Sequence, residues 1–272
     1  MAVLSTTNPT LADVAKRYDA DGKIDTIVEM LAETNEVLED MTFLEGNLPT
    51  GHRTTIRSGL PSSTWRKLNY GVQPSKSTTV QVTDTTGMLE AYAEVDKSLA
   101  DLNGNTGAFR LSEDRAFLES MNQTMANTLF YGDTGTDPEK FMGLSARYNS
   151  TSAESGDNII VGGGSGSDNT SIWLVCWGPN TCHGIYPKGS QAGLKHHDLG
   201  EVTLEDAANG KYQGYRTHYK WDIGMSVRDW RYIVRIPNID VSNLTKDASG
   251  SSAALVDLMV QAVEKLPNLN LG

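Results

Sequence analysis

Phe117, Met121, Met125 and Leu129 recur at every fourth position, and Leu118 and Thr128 widen the stripe. That spacing sets one apolar band along a helix over 105–131. Asn105 or Thr106 can cap its start, and Gly132 suits a left-handed residue just past its end. A helix of roughly 25 residues is about 37 Å long, about twice the globular norm. Such a length suits a strut with sheets leaning on it as well as a core element. Toward the N-terminus, residues 1–10 are polar and read as a flexible arm. Leu11 to Arg17 begins a short helix that Asp19-Ala-Asp21-Gly22 breaks. A second helix follows, with Ile24, Ile27, Val28, Leu31 and Leu38 on one side and Asp25, Glu29, Glu33, Glu36 and Glu39 on the other. Ala253 to Leu266 is again amphipathic, and Pro267 stops it.

Elsewhere the period changes to two. Thr54-Thr-Ile-Arg57 and Thr78-Thr-Val-Gln-Val-Thr83 are β-rich runs on either side of a Gly/Pro/Ser-rich span. Together they predict a protruding β-hairpin with a long polar tip. Two strands alone are marginal in water, so this hairpin needs a partner. Met88 to Val95 alternates weakly and reads as a strand. Ser171 to Trp177 is a continuous apolar run bounded by Gly178-Pro179, hence a buried strand. Lys211 to Val227 and Trp230 to Ile236 add two more, so residues 171–240 read as a sheet-centred α+β region. Gly132 to Leu144 is dense in turn formers around one apolar anchor, Phe141, and residues 149–170 read as a flexible linker or loop.

Length and composition fit one large domain or two smaller ones: 272 residues, 38% hydrophobic and 21% charged, with 26 Gly favouring turns and strands. No apolar run approaches the ~20 residues of a membrane span. Because the first ten residues carry no basic segment before an apolar core, no secretory signal is expected there. Cys176 and Cys182 form no disulfide framework and are expected as reduced thiols. Charge changes the picture more. The net charge is −11, which argues against general affinity for nucleic acid. Yet Gly46 to Thr83 contains no Asp or Glu, while Arg53, Arg57, Arg66, Lys67 and Lys76 give it +5, leaving −16 to the rest of the chain (18 basic against 34 acidic residues). A basic arm on an acidic chain points to another copy of the same chain as its partner, since complementary charge steers association and register.

Candidate chemistry is thin. Asp19-x-Asp21-Gly22 resembles part of a calcium loop, but Arg17 and Val28 stand where the first and last ligands belong. Gly162 to Gly166 lacks the Gly-Lys-Ser/Thr ending of a phosphate loop, and Ser167 replaces the third glycine of a dinucleotide motif. Cys176, Cys182, His183, His196, His197 and His218 do not match a zinc spacing. His196-His197-Asp198 has no nucleophile elbow to serve. Trp65 and Tyr70 among five cations could stack single-stranded nucleic acid, but two aromatics are few for that role. Glu94, Asp96 and Asp101 read as solvated acidic rim. No catalytic, cofactor-binding or metal residue is assigned, and no enzyme is expected.

The order of parts, and four strings within it, resemble the major capsid (coat) protein of tailed bacteriophages, with the Hong Kong phage coat-protein fold. The strings are Gly46-Asn-Leu-Pro-Thr-Gly-His52, Tyr131-Gly-Asp-Thr-Gly-Thr-Asp-Pro-Glu-Lys-Phe-Met-Gly-Leu144, Trp177-Gly with His183-Gly-Ile-Tyr-Pro-Lys-Gly189, and Arg231-Tyr-Ile-Val-Arg-Ile-Pro-Asn-Ile-Asp240. The resemblance implies an α+β fold in named parts. Residues 1–45 would be an N-terminal arm with its acidic helix, and 46–95 an extended β-hairpin loop with the strand that follows. Residues 96–149 would form a peripheral domain with the spine helix 105–131, and 150–272 an α+β axial domain. Members return through strands that complete the peripheral sheet, and those strands are expected beyond this sequence or replaced within it.

The function implied is self-assembly into an icosahedral shell of hexamers and pentamers, in which Arg53, Arg57, Trp65, Arg66, Lys67 and Lys76 of the extended loop make inter-subunit contacts. Implied partners are further copies of the chain, a separate scaffolding protein, a portal, a decoration protein, and double-stranded DNA enclosed without specific binding. Like charge on a net-negative shell would keep that DNA mobile. The implied location is the virion capsid, assembled in the host bacterial cytoplasm with no membrane. A nanocompartment (encapsulin-like) shell protein is the alternative, followed by a surface-binding module that uses the basic hairpin.

Overall fold

A computed structural model describes residues 35–102, 104–206, 208–242, 244 and 255–267. The expected helix at 11–17, the Asp19–Gly22 break and most of the acidic helix at 24–39 lie outside them. The elements run α1 (Val37–Asp40), β1 (Phe43–Glu45), β2 (Gly51–Gly59), β3 (Thr78–Asp96), α2 (Lys97–Ala100), α3 (Thr106–Tyr131), α4 (Leu144–Arg147), β4 (Asn169–Val175), β5 (Cys182–Tyr186), β6 (Leu194–Glu205), β7 (Lys211–Val227), β8 (Ile233–Asp240) and α5 (Leu255–Lys265). The chain divides into two compact units. Of the described residues, one unit holds those within 35–39, 88–127 and 193–222, and the other those within 40–87, 128–192 and 223–267.

In the first unit, β6 pairs antiparallel with β7 from Leu194↔Trp221 to Glu205↔Lys211, with a bulge between Asp198 and Gly200. Side chains alternate across a strand, so β7 shows different chemistry on its two faces. Tyr219 and Trp221 pack with Ala93, Phe117 and Met121, and Tyr215 packs with Val95, Ala100 and Phe109. On the opposite face Arg216 meets Glu94 at 2.6 Å and Lys220 meets Glu90 at 2.9 Å, while Tyr92 stacks on His218 at 4.5 Å between centroids. β6 is a strand that the alternation left unread, because residues 194–199 are exposed on both faces.

The helix α3 spans 26 residues without a break. Met121, Met125 and Leu129 are buried and Phe117 is half-buried, as the four-residue period requires, whereas Leu118 is 37% exposed and lies outside the stripe. Asn105 stands at the capping position, its carbonyl accepting from the Phe109 N–H, and Thr106 donates its hydroxyl to Asp101 at 2.6 Å.

The second unit carries a sheet in the order β1-β5-β7-β3-β2, with β1 parallel to β5 and the other pairs whose register is resolved antiparallel. A separate pair, β4 with β8, is backed by α5: Ala262, Leu255 and Leu258 pack onto Val234, Ile236 and Ile239. The apolar run at 171–177 yields a strand that ends at Val175, half-buried and not fully buried, so Cys176 lies just past it. The Gly162–Gly166 loop is pinned and not a free linker. Gly162 and Gly164 donate to the carbonyls of Pro237 and Asn238 at 2.8 and 2.7 Å, and a Cβ at Gly164 would lie 2.7 Å from the Asn238 oxygen.

The turn after α3 also differs from expectation. Gly132 is not left-handed, since it is absent from the positive-φ residues. It is glycine because of crowding: a Cβ there would strike the Phe141 carbonyl and lie 2.6 Å from that of Thr128. A Cβ on Gly143 would lie 2.7 Å from the Gly132 nitrogen and from the Thr128 oxygen. The two glycines meet through a 2.8 Å bond from the Gly143 N–H to the Gly132 carbonyl, closing a loop whose anchor, Phe141, is 2% exposed.

A buried polar cluster ties the elements of this unit together. Asp84 in β3, 4% exposed, accepts from Arg147 of α4 at 2.7 Å and from the Ser226 hydroxyl of β7 at 2.8 Å. Arg147 also donates to the carbonyls of Met225 and Met142 at 3.1 and 3.4 Å. A carboxylate this deep is tolerated because its oxygens are charge-paired and hydrogen-bonded.

Two outcomes are expected in thermal or denaturant unfolding of the unassembled subunit. Gly143→Ala should cost about 1–3 kcal/mol by overpacking against backbone, whereas Gly107→Ala, with open space around its Cβ, should be neutral or stabilising. Arg147→Met should cost roughly 3–5 kcal/mol by stranding Asp84, and adding Asp84→Asn should recover part of that loss.

Candidate functional site: the extended arm

β2 and the first half of β3 form one antiparallel ribbon, from Gly51↔Thr85 to Gly59↔Thr78, with a bulge between Arg57 and Gly59. At its root the strands are pressed together: a Cβ on Gly51 would collide with the Asp84 carbonyl and lie 3.2 Å from the Thr85 Cα. Asn47 fixes the entry to β2. Its amide donates to the Arg53 carbonyl and accepts from the Arg53 N–H, both at 2.7 Å. Burial then fades along the ribbon. Gly51 and Thr54 are buried, Ile56 is half-buried, and residues 57 and 60–76 are exposed.

All six residues expected to make subunit contacts stand on this ribbon. Arg53 and Arg57 share one face of β2, and Arg53 donates to the Thr83 hydroxyl at 3.2 Å. Trp65, Arg66 and Lys67 occupy the tip, and Lys76 precedes β3. Trp65 is 100% exposed, with Leu60, Leu68 and Tyr70 also bare at 81%, 85% and 70%. Among the described residues, none of the five cations forms an ion pair with an acidic side chain. The ribbon and its tip therefore set exposed apolar side chains among cations, presenting surface that their own unit does not cover.

The remaining candidates resolve into structure. Asp198 is held by Arg110 at 2.6 Å and by the Gly200 N–H at 2.8 Å, and these contacts hold its carboxyl below the usual carboxylate range. His196 and His197 lie on opposite faces of β6, opposed to Tyr219 and His218. Glu94 pairs with Arg216, Asp96 accepts from the Ser98 N–H at 2.7 Å to cap α2, and Asp101 accepts from Thr106. Burial pushes the Cys182 thiol up to about 12 and raises that of Cys176, which keeps both protonated. Among the described residues no group of three or more His, Cys, Asp or Glu is placed to hold a metal, and no helix is long and apolar enough to cross a membrane. Asp84, Asn47 and Arg147, which position the arm, carry no local signal beyond Asp84 being the first acid after the acid-free stretch.

Residues 19–272 match the family model described as major capsid protein GP7. A chain of the bacteriophage Epsilon15 structure is 44% identical over all of this chain and 82% of its own, with a TM-score of 0.77. The SrpI encapsulin of Synechococcus elongatus PCC 7942 aligns over 85% of this chain and 96% of its own at 11% identity, with a TM-score of 0.56. A chain from Mycobacterium phage Bobi aligns over 83% and 97% at 10% identity, with a TM-score of 0.50. These two share the fold alone, so the encapsulin likeness does not compete with the far higher identity to the phage chain. No curated protein sequence matches. With a family model spanning nearly the whole sequence and a full-length phage relative behind it, the chain belongs to the GP7 family of phage major capsid proteins and has the Hong Kong phage coat-protein fold.

Proposed function

We propose that the arm of residues 46–95 is the element by which one capsid subunit engages the next. Arg53, Arg57, Arg66, Lys67 and Lys76 supply its charge and Trp65 its apolar anchor. The observation that carries this reading is a stretch, residues 46–83, of +5 charge without one acidic residue, bare from residue 60 to 76, on a chain of net charge −11. Unpaired surface cations keep a field that reaches about 8–10 Å in physiological salt. That field favours an acidic neighbour and sets the orientation of approach, while a fully exposed Trp supplies the buried area that charge alone does not. The outer side of α3, where Leu111 and Leu118 are exposed at 54% and 37%, is the surface of a neighbour on which such an arm would lie.

Within this reading, residues 1–45 serve as an N-terminal arm, 96–149 as a peripheral domain on the α3 spine, and 150–272 as an axial domain around five-fold and six-fold axes. The shell is icosahedral, assembles in the bacterial cytoplasm with a separate scaffolding protein, a portal and a decoration protein, and encloses double-stranded DNA without specific binding. The net negative charge supports that last point, since a shell of like sign does not condense its cargo.

Negative-stain electron microscopy of the purified chain, alone and with a scaffolding partner, should show closed shells or rings of five and six. Persistent monomers at high concentration in both low and high salt would overturn the assembly reading. Replacing Arg53, Arg57, Arg66, Lys67 and Lys76 by Glu should abolish assembly while circular dichroism and melting stay those of a folded subunit. Assembly that survives these changes would show that the arm's charge is not what joins the copies.

A further inference from the structure

At the root of the arm an ionisable ring lies buried without a partner. His183 of β5 is 0% exposed, and neither ring nitrogen makes a hydrogen bond of normal geometry. Its ring meets that of His52, the second residue of β2, edge-on at 5.9 Å between centroids and 78° between planes. His52 in turn opposes Asp84 in the β2–β3 register, and Ser226 opposes His183 in the β5–β7 register. The ionisable groups around His183 come from every neighbouring element. His52 belongs to β2, Asp84 to β3, Arg147 to α4 through Asp84, and Arg228 follows β7; Cys182 adjoins in β5, and the Gly178 carbonyl precedes it. Asp84, the acid in this group, already accepts from Arg147 and Ser226. A proton added to His183 therefore finds Arg228 and a second histidine nearby, with the Gly178 carbonyl and an Asp84 carboxylate that is already engaged as the groups opposing them.

We propose that the His52–His183 contact makes the root of the arm acid-labile, with protonation of His183 separating the start of β2 from β5. Burial, then His52, then Arg228 push the His183 ring down to about 4, against the opposing pull of the Gly178 carbonyl and Asp84. His52 is lowered too, by burial first and then by Arg228. A base whose closed-state value lies below its free value of 6.5 gains protons on opening. The closed root is thus fully held above about pH 6.5 and loses its hold as the pH falls toward 4, the opening equilibrium rising by up to roughly two orders of magnitude across that window. The consequence for a shell rests on the role proposed for the arm, whereas the switch itself does not.

Hydrogen–deuterium exchange of the full, unassembled chain between pH 7 and 4.5, corrected for intrinsic exchange chemistry, separates the two. Amides of 46–59 and 78–87 should lose protection as the pH falls, while those of the β4–β8 pair hold theirs. His183→Leu, which removes the titrating ring, should flatten the response. His52→Gln should shrink the response, because it removes a charge that depresses the His183 ring and so narrows the gap between its closed and free values. A wild-type arm root that keeps its protection to pH 4.5, or an unchanged response in both variants, would overturn the proposal without touching the assembly reading.

Discussion

Asp84 stands where the β2–β3 ribbon leaves its unit, and the geometry of the arm depends on how that carboxylate is held. A two-stranded ribbon gains too little from its own contacts to fix its direction in water, and from residue 60 to 76 this one buries nothing. Its aim must therefore be set at the root. There Arg147 and Ser226 converge on one carboxylate from two other elements, and the Gly51 backbone packs against the Asp84 carbonyl. Such a cluster adds little net stability, because desolvation offsets much of the attraction. It does make one arrangement of β2, β3, β7 and α4 far better than its neighbours, since any slip leaves a buried charge unpaired.

Charges on the arm and in the first unit are deployed differently. Across β3 and β7 of the first unit, Glu94 and Glu90 are matched by Arg216 and Lys220 at 2.6 and 2.9 Å. Pairs this exposed are worth little in free energy, and their contribution is to cross-strand register. On the arm, the five cations form no ion pair among the described residues. A single long strand, β3, thus carries both patterns, acid-free near the tip and acid-paired toward its end.

Local periodicity made much of the fold legible. The stripe Phe117, Met121, Met125 and Leu129 gave α3, and turn residues around 58–75 together with β-branched flanks gave the arm. The same features failed where burial was not one-sided. β6 shows no alternation because residues 194–199 are exposed on both faces. The half-covered run at 171–177 placed β4 two residues too late and overstated its burial. Gly132 was read from its position after a helix, yet its need for glycine comes from the approach of Gly143 and Phe141 across a loop. The basic stretch at 46–83 was readable because charge counted along the chain needs no tertiary partner to be recognised.

By itself, then, the sequence determined the long helix, the bare basic ribbon and the segregation of charge, along with the four strings that tie the chain to phage capsid proteins. These are properties of neighbours in the chain, set by spacings of two to four residues and by turn chemistry. Only the tertiary structure decided that Asp84 meets Arg147 63 positions away and Ser226 142 positions away, or that a buried His183 faces His52. Those contacts depend on strand register and on the order β1-β5-β7-β3-β2. A one-residue slip turns every side chain to the other face, so no local pattern encodes which distant groups will meet.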